Sequence, residues 1–302
     1  MDTIGKPSEE YRIRPFSMSL IPNNRYFKNI YLMNRKYSTT DKLVYLVSDV
    51  VDHTIKTIVE KEGLDKPFAP FDYIYNTFLN ILAASAFGKR WKESLTKHIN
   101  LLMKLRYELD DPEYKALKYF MKDMFVEANQ KFVFWEMFPF LKRFDKTYNK
   151  MIPISDKTKN LIKDKFESHY KDYDESIVRD FCDTLITAKN EALREGKESA
   201  PYLTDESLTL SIIDLFFAGT DTSQTTFRWI LLYLTLFPEM QQKLRQEIES
   251  QIGDRIPTHE DRNHCHYVMA FISETLRIRN IAPTGVNHKA VVTSTIGHSK
   301  FI

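Results

Sequence analysis

The sequence has little cysteine, little glycine and no long apolar run. Its 302 residues contain only two cysteines, which excludes a disulfide-stapled scaffold and favours a reducing compartment. No run of eighteen apolar residues exists and the first residues are polar, so no transmembrane helix and no signal peptide are predicted. A net charge of only +2 gives a nucleic-acid partner no electrostatic support. Eight glycines against 21 phenylalanines and 16 tyrosines suit a helical, aromatic-rich core.

Helical spacing of apolar residues covers most of the chain, so the predicted fold class is mainly α with little β-structure at the C-terminus. The charged segment 189–201 is expected to be a solvated loop, and the aromatic stretch 134–141 is expected to pack as core or pocket lid. Residues 1–302 are interpreted as a single partial domain. The expected helices cover residues 35–62, 68–86, 94–109, 112–129, 154–173, 178–188, 203–237, 238–252 and 268–279.

The longest predicted helix covers residues 203–237 and is expected to lie at the centre of the fold. Thr204 offers a capping hydroxyl, Asp205 and Glu206 place two carboxylates in its first turn, and Pro238 stops it. Apolar residues lie on most of its circumference, which predicts a central, buried helix.

The middle of that helix breaks the rules of a good helix. The stretch 218–223 reads Ala218-Gly219-Thr220-Asp221-Thr222-Ser223, with a glycine, an acid and three hydroxyl residues inside an apolar run. Glycine costs about 1 kcal/mol against alanine in a helix interior. Small Ala218 and Gly219 would let a flat group approach, Thr222 can donate back to a carbonyl, and Asp221 could relay a proton. Such a local conflict indicates either a site or a packing device.

A second motif lies downstream in the same chain. Glu274 and Arg277 form a Glu-Xaa-Xaa-Arg motif, and Pro238-Glu239 opens the helix between the two motifs. Alone, the acid–arginine pair would indicate only a solvated surface pair. In this order and spacing the motifs resemble the cytochrome P-450 family of haem-thiolate monooxygenases. The stretch 253–263 is similar to the microsomal branch that includes the steroid 17-hydroxylases.

The resemblance implies a role for each matching residue. Ala218 and Gly219 would form the oxygen groove over the haem, Thr222 would hydrogen-bond the bound oxygen, and Asp221 would help to deliver protons. The pair Glu274–Arg277 would brace the haem-binding core as a structural pair, and His288 would contact a haem propionate.

The family reaction implied is monooxygenation of an apolar, possibly steroid-like, substrate. Its cofactor would be haem iron, and NADPH would supply electrons through a separate reductase at the endoplasmic reticulum membrane.

The family's haem-ligand loop, Phe-Xaa-Xaa-Gly-Xaa-Arg-Xaa-Cys-Xaa-Gly, does not occur in this sequence. Cys182 and Cys265 both precede the Glu-Xaa-Xaa-Arg motif, and neither is flanked by the glycines of the haem-ligand loop. Cys182 is interpreted as a small core residue. We therefore expect a chain without the membrane anchor and the haem cysteine, and not competent on its own. Two alternatives stay open: a catalytically dead protein that binds a ligand or partners a homologue, and a non-functional remnant.

No metal-ligand role is assigned from the sequence. The acid cluster 110–113 is expected to cap a helix, and the stretch 263–266 (Asn-His-Cys-His) is expected to be a turn, because no second Cys/His pair follows at zinc-finger spacing.

Overall fold

The computed structural model describes residues 41–88, 108–123, 135, 137–198, 200–283, 294–296 and 299–301. Within these ranges the fold is mainly α, as predicted. The helices are α1 Asp41–Glu62, α2 Phe71–Phe87, α3 Pro112–Lys118, α4 Lys146–His169, α5 Phe181–Arg194, α6 Asp205–Leu236, α7 Pro238–Gln251 and α8 His266–Ile278.

Shorter elements join these helices. A π-turn, Tyr119–Asp123, extends α3, and 3₁₀ turns lie at Pro139–Phe144, Ala200–Tyr202 and His259–Asn263. Two short strands, β1 Ser294–Ile296 and β2 Ser299–Phe301, pair antiparallel with Thr295 opposite Lys300. They are the limited β-structure that the sequence predicts near the C-terminus.

Acidic and hydroxyl side chains begin several of the helices. Asp111 accepts from the backbone N–H of Glu113 at 2.7 Å, which confirms the predicted capping role of the acid cluster before α3. Thr204 accepts from the N–H of Ser207 at 3.2 Å and so caps α6. Each cap satisfies a backbone donor that the helix itself leaves free.

The long helix α6 contacts α2, α4, α7 and α8. Its N-terminal half is in the core, where Leu208, Ile212 and Phe216 are all buried. Its C-terminal half differs from the prediction of a buried helix, because Leu232 and Leu236 are 43% and 59% exposed. The apolar residues around the whole circumference of the helix therefore predict burial correctly only for its first half.

Two helix boundaries also differ from the prediction. Helix α4 starts at Lys146 rather than at residue 154, since Asp145 caps it and the helix continues through Pro153. Helix α5 runs on to Arg194, so the first part of the expected loop 189–201 is helical and the turn comes at Gly196. The expected helix 94–109 lies almost entirely outside the described residues.

None of the helices in the described parts of the chain is long and apolar enough to cross a bilayer.

Candidate functional site

An open face of α6 carries two residues of the first motif, Ala218 and Thr222. Ala218 and Thr222 are both exposed and lie one turn apart, while Phe216 and Thr220 between and beside them are buried. The helix is continuous through the motif, and the Thr222 hydroxyl donates to the carbonyl of Ala218 at 2.5 Å. This confirms the predicted back-bond. Since its proton is committed to that carbonyl, Thr222 can offer only acceptor lone pairs to anything on the open face.

Asp221 is half-buried beside that face and is held on one side. Its Oδ1 accepts from Nε2 of Gln224 at 3.0 Å, and Gln224 is itself buried and also bonded to the hydroxyl of Thr225. No described residue donates to the other carboxylate oxygen. The side chain therefore has a fixed position and one oxygen available to a proton donor or a water.

Gly219 faces a neighbouring helix. A Cβ at this position would lie 2.9 Å from Cδ1 of Leu82 on α2, so the missing side chain lets α2 and α6 approach closely. Its predicted part in an oxygen groove stays a prediction. Next to it, the hydroxyl of Thr220 is buried without a hydrogen-bond partner among the described residues.

Asp214 lies one turn before Ala218 and was not singled out from the sequence. Burial raises the pKa of its carboxyl from 3.8 to about 6. Its four-residue spacing from Ala218, with Ala218 four residues before Thr222, places all three residues on one stripe of α6. That spacing was the only signal available in the sequence, where an acid within an apolar run could equally have faced outward.

A cleft of about 500 Å³ lies between α2 and the C-terminal half of α6. Phe71 and Ile74 line it from α2, and Trp229 and Leu232 line it from α6. Its polar groups are two threonines and Arg228, whose guanidinium stacks 4.1 Å over the ring of Phe71. No carboxylate of the described residues lines this cleft, so it is a less suitable place for proton transfer than the face around Ala218.

The second motif forms its expected pair. Arg277 donates from Nε and Nη2 to the two carboxylate oxygens of Glu274 at 2.7 and 2.6 Å, near the end of α8. Both side chains are more than half exposed. The pair is thus solvated in the described structure, and a bracing role stays a prediction. His288 lies outside the described residues.

Comparison with known proteins identifies the family to which this chain belongs. Residues 22–302 match the sequence model of the Cytochrome P450 family, and the chain belongs to that family. It is 32% identical over 199 residues to the steroid 17-alpha-hydroxylase/17,20 lyase of Squalus acanthias, covering 63% of this chain and 38% of that protein. It is 31% identical over 252 residues to Cytochrome P450 2J2 of Homo sapiens, covering 83% of this chain and 46% of that protein. The chain therefore spans less than half the length of these relatives.

The open face of α6 has room for a flat group such as haem, and the described residues do not supply a cysteine thiolate beside it. A flat apolar group could lie against Ala218 and Thr222, because both are exposed on a helix with no larger side chain between them. Cys182 is buried in the hydrophobic core and Cys265 is buried at the start of α8. Neither thiol is on the open face of α6, so no step is derived through the haem.

Proposed function

We propose that this chain carries the substrate and oxygen side of a cytochrome P450 site and binds an apolar, steroid-like small molecule against the open face of α6. The observation that carries the proposal is the exposed pair Ala218 and Thr222, joined by a hydrogen bond, on a helix whose opposite side is buried at Phe216 and Thr220. In the whole protein the reaction is monooxygenation, for which haem iron supplies the oxygen activation and NADPH the electrons through a reductase.

The chain's own residues would do three things in that reaction. Thr222, whose proton is held by Ala218, accepts a hydrogen bond from a protonated oxygen or a water and so fixes its position. Asp221, held by Gln224, would take up a proton from solvent on its remaining oxygen and pass it to that position. Ala218 keeps the space between them and the substrate open, since a larger side chain would fill the face.

The 302-residue chain alone is proposed not to form the thiolate-ligated haem. The test is the reduced, carbon-monoxide difference spectrum of the purified chain with added haem, on a sample that circular dichroism shows to be helical. We expect no Soret band at the thiolate position, since both cysteines are buried away from the open face. A band there would show that one of them ligates iron and would overturn this part of the proposal.

Ligand binding is tested separately from haem chemistry. Equilibrium dialysis with a labelled steroid should show binding by the wild-type chain and a loss of at least about tenfold in Ala218→Phe, because the ring would occupy the open face. Ser250→Phe, on the exposed surface of α7, is the matched control and should bind as the wild type does. Equal binding by both variants would show that the steroid does not bind at the open face of α6.

We also propose that the chain contacts a membrane surface, as expected at the endoplasmic reticulum. Met137, Phe140 and Phe144 are 63%, 67% and 76% exposed around the 3₁₀ turn Pro139–Phe144, and Phe138 and Leu141 are exposed beside them. Among the residues of this aromatic stretch whose burial the structure describes, Trp135 is buried and the others are exposed, so the expectation of core packing is wrong for those others, while the pocket-lid alternative stays a prediction. Lys142 and Arg143 lie within the turn, which suits an anionic lipid surface.

A further inference from the structure

Three chemically different metal-ligand side chains meet where α2, α4 and α5 come together. His169 ends α4, Asp180 caps α5, and Cys182 is in the first turn of α5. One ligand atom from each of the three lies within 4.8 Å of the other two. Asp180 and Cys182 are buried, and only 11% of the His169 side chain is exposed.

The imidazole of His169 is oriented as a metal-ligating histidine is. Its Nδ1 is 2.8 Å from the carbonyl of Lys165, which fixes the tautomer with the proton on Nδ1 and aims Nε2 at the cluster. Nε2 is 3.0 Å from Oδ2 of Asp180 and 3.2 Å from the carbonyl of Phe87. Among the described residues, only acceptor oxygens lie at these distances from Nε2, so the position between them requires a proton or another cation.

The carboxylate of Asp180 has one oxygen to spare for such a cation. Its Oδ1 accepts from the N–H of Asp183 at 2.9 Å and holds the start of α5, while Oδ2 points at His169. Gly88, at the end of α2, closes over the cluster, since a Cβ there would lie inside contact distance of that same Oδ2. The oxygen is therefore held in place from two sides.

We propose that His169, Asp180 and Cys182 form a binding site for one borderline-soft divalent cation of the zinc class. Imidazole nitrogen, carboxylate oxygen and thiolate sulfur are all zinc ligands, and the Phe87 carbonyl, 3.2 Å from Nε2 of His169, is the nearest further oxygen to that imidazole. On binding, the cation replaces the Nε2 proton of His169 and the thiol proton of Cys182, and both protons pass to the solvent buffer. The site joins the ends of α2 and α4 to the start of α5, so its role is structural.

Cobalt substitution tests the site without any use of haem or activity. The purified chain, titrated with Co²⁺ at neutral pH, should bind about one equivalent and develop the near-ultraviolet charge-transfer band of a thiolate ligand. Cys182→Ala should lose the band, while Cys265→Ala, which removes the other buried cysteine, should keep it. Zn²⁺ should compete for the site and raise the melting temperature of the wild type and of Cys265→Ala only.

Several outcomes would overturn the site. A folded wild-type chain with no thiolate band would leave His169 and Asp180 as an ion pair alone. A band that survives in Cys182→Ala, or cobalt bound without a band, would place the cation elsewhere on the surface. If Cys182→Ala fails to fold, Asp180→Asn decides, because it keeps the side-chain size and should weaken cobalt binding by at least about tenfold.

Discussion

A single glycine controls how closely α2 approaches the start of α5. Gly88 has φ +65° and ψ 168°, a conformation that is essentially restricted to glycine, and its Cα faces the buried carboxylate of Asp180. The residue therefore combines backbone freedom with a close approach that a side chain would prevent.

Gly88→Ala is expected to cost roughly 3 kcal/mol or more, because backbone strain of about 1–3 kcal/mol adds to displacement of the Asp180 carboxylate. Gly63→Ala is the matched control, since Gly63 also has positive φ but nothing lies within 4 Å of its Cβ position. It should lose only about 1 kcal/mol. Urea unfolding measures both, and equal losses would show that the contact with Asp180 does not matter.

The raised pKa of Asp214 predicts that the stability of the folded protein depends on pH. Its pKa is raised by burial to about 6, above the ordinary 3.8, so the folded state holds a proton more tightly than the unfolded state does. The buried charge therefore destabilises the fold above about pH 6, and this penalty disappears as the pH falls towards 4. Asp214→Asn should stabilise the protein by up to about 3 kcal/mol at pH 7.5 and by progressively less below pH 6.

Chemical unfolding at pH 5.0, 6.0 and 7.5 measures that difference. Asp65→Asn, on an exposed turn, controls for the change from carboxylate to amide. A stability difference for Asp214→Asn that stays constant across the three pH values would mean that Asp214 is solvated in the folded protein.

At the scale of elements, the close contact of α2 with α6 depends on the pair Gly219 and Leu82. The Cβ of an alanine at position 219 would meet Leu82 methyl groups at 2.9 and 3.1 Å. In the wild-type background this overlap should cancel the gain of about 1 kcal/mol that alanine brings to a helix interior. In a Leu82→Ala background the space is open and the gain should be recovered.

A double-mutant cycle of Gly219→Ala and Leu82→Ala measures this coupling by unfolding free energy. We expect the two changes to deviate from additivity by about 0.5–3 kcal/mol, with the double variant more stable than the sum predicts. Additive effects would show that the role of Gly219 does not depend on Leu82, and only the oxygen-groove role predicted from the sequence motif would remain.

The sequence predicted the elements whose signals are local. Thr204 and Pro238 bound α6 as expected, and Asp111 caps α3 through its own side chain. The start of α4 was missed, because the pattern was interpreted as broken at Pro153 while the cap at Asp145 lies a full two turns earlier.

Features that depend on distant partners could not be predicted from the sequence. The open face around Ala218 is defined by what the other side of α6 packs against, and Gly219 is explained only by Leu82, far away in the chain. His169 and Asp180 are eleven residues apart and meet only because α4 and α5 fold back together. The core interpretation of the aromatic stretch failed for a related reason, since composition alone does not distinguish a core from an exposed apolar patch.

At the scale of the whole molecule, the exposed patch around Phe140 and Phe144 should determine how the chain partitions to a bilayer. Phe140→Asp combined with Phe144→Asp should lower partitioning by at least about tenfold, because each ring contributes about 1.5–3 kcal/mol when fully withdrawn from water. Ile55→Asp combined with Leu64→Asp is the matched control, since both of those side chains are also exposed but lie outside the turn Pro139–Phe144.

Co-sedimentation with vesicles of phosphatidylcholine and phosphatidylserine measures that partitioning. Binding by the wild type should fall as salt is raised, since Lys142 and Arg143 lie within the same turn and attract anionic lipid. The control pair should bind as the wild type does. If both pairs reduce binding equally, the chain adheres through general hydrophobicity, and the turn at Pro139–Phe144 has no special part in orienting the molecule on a membrane.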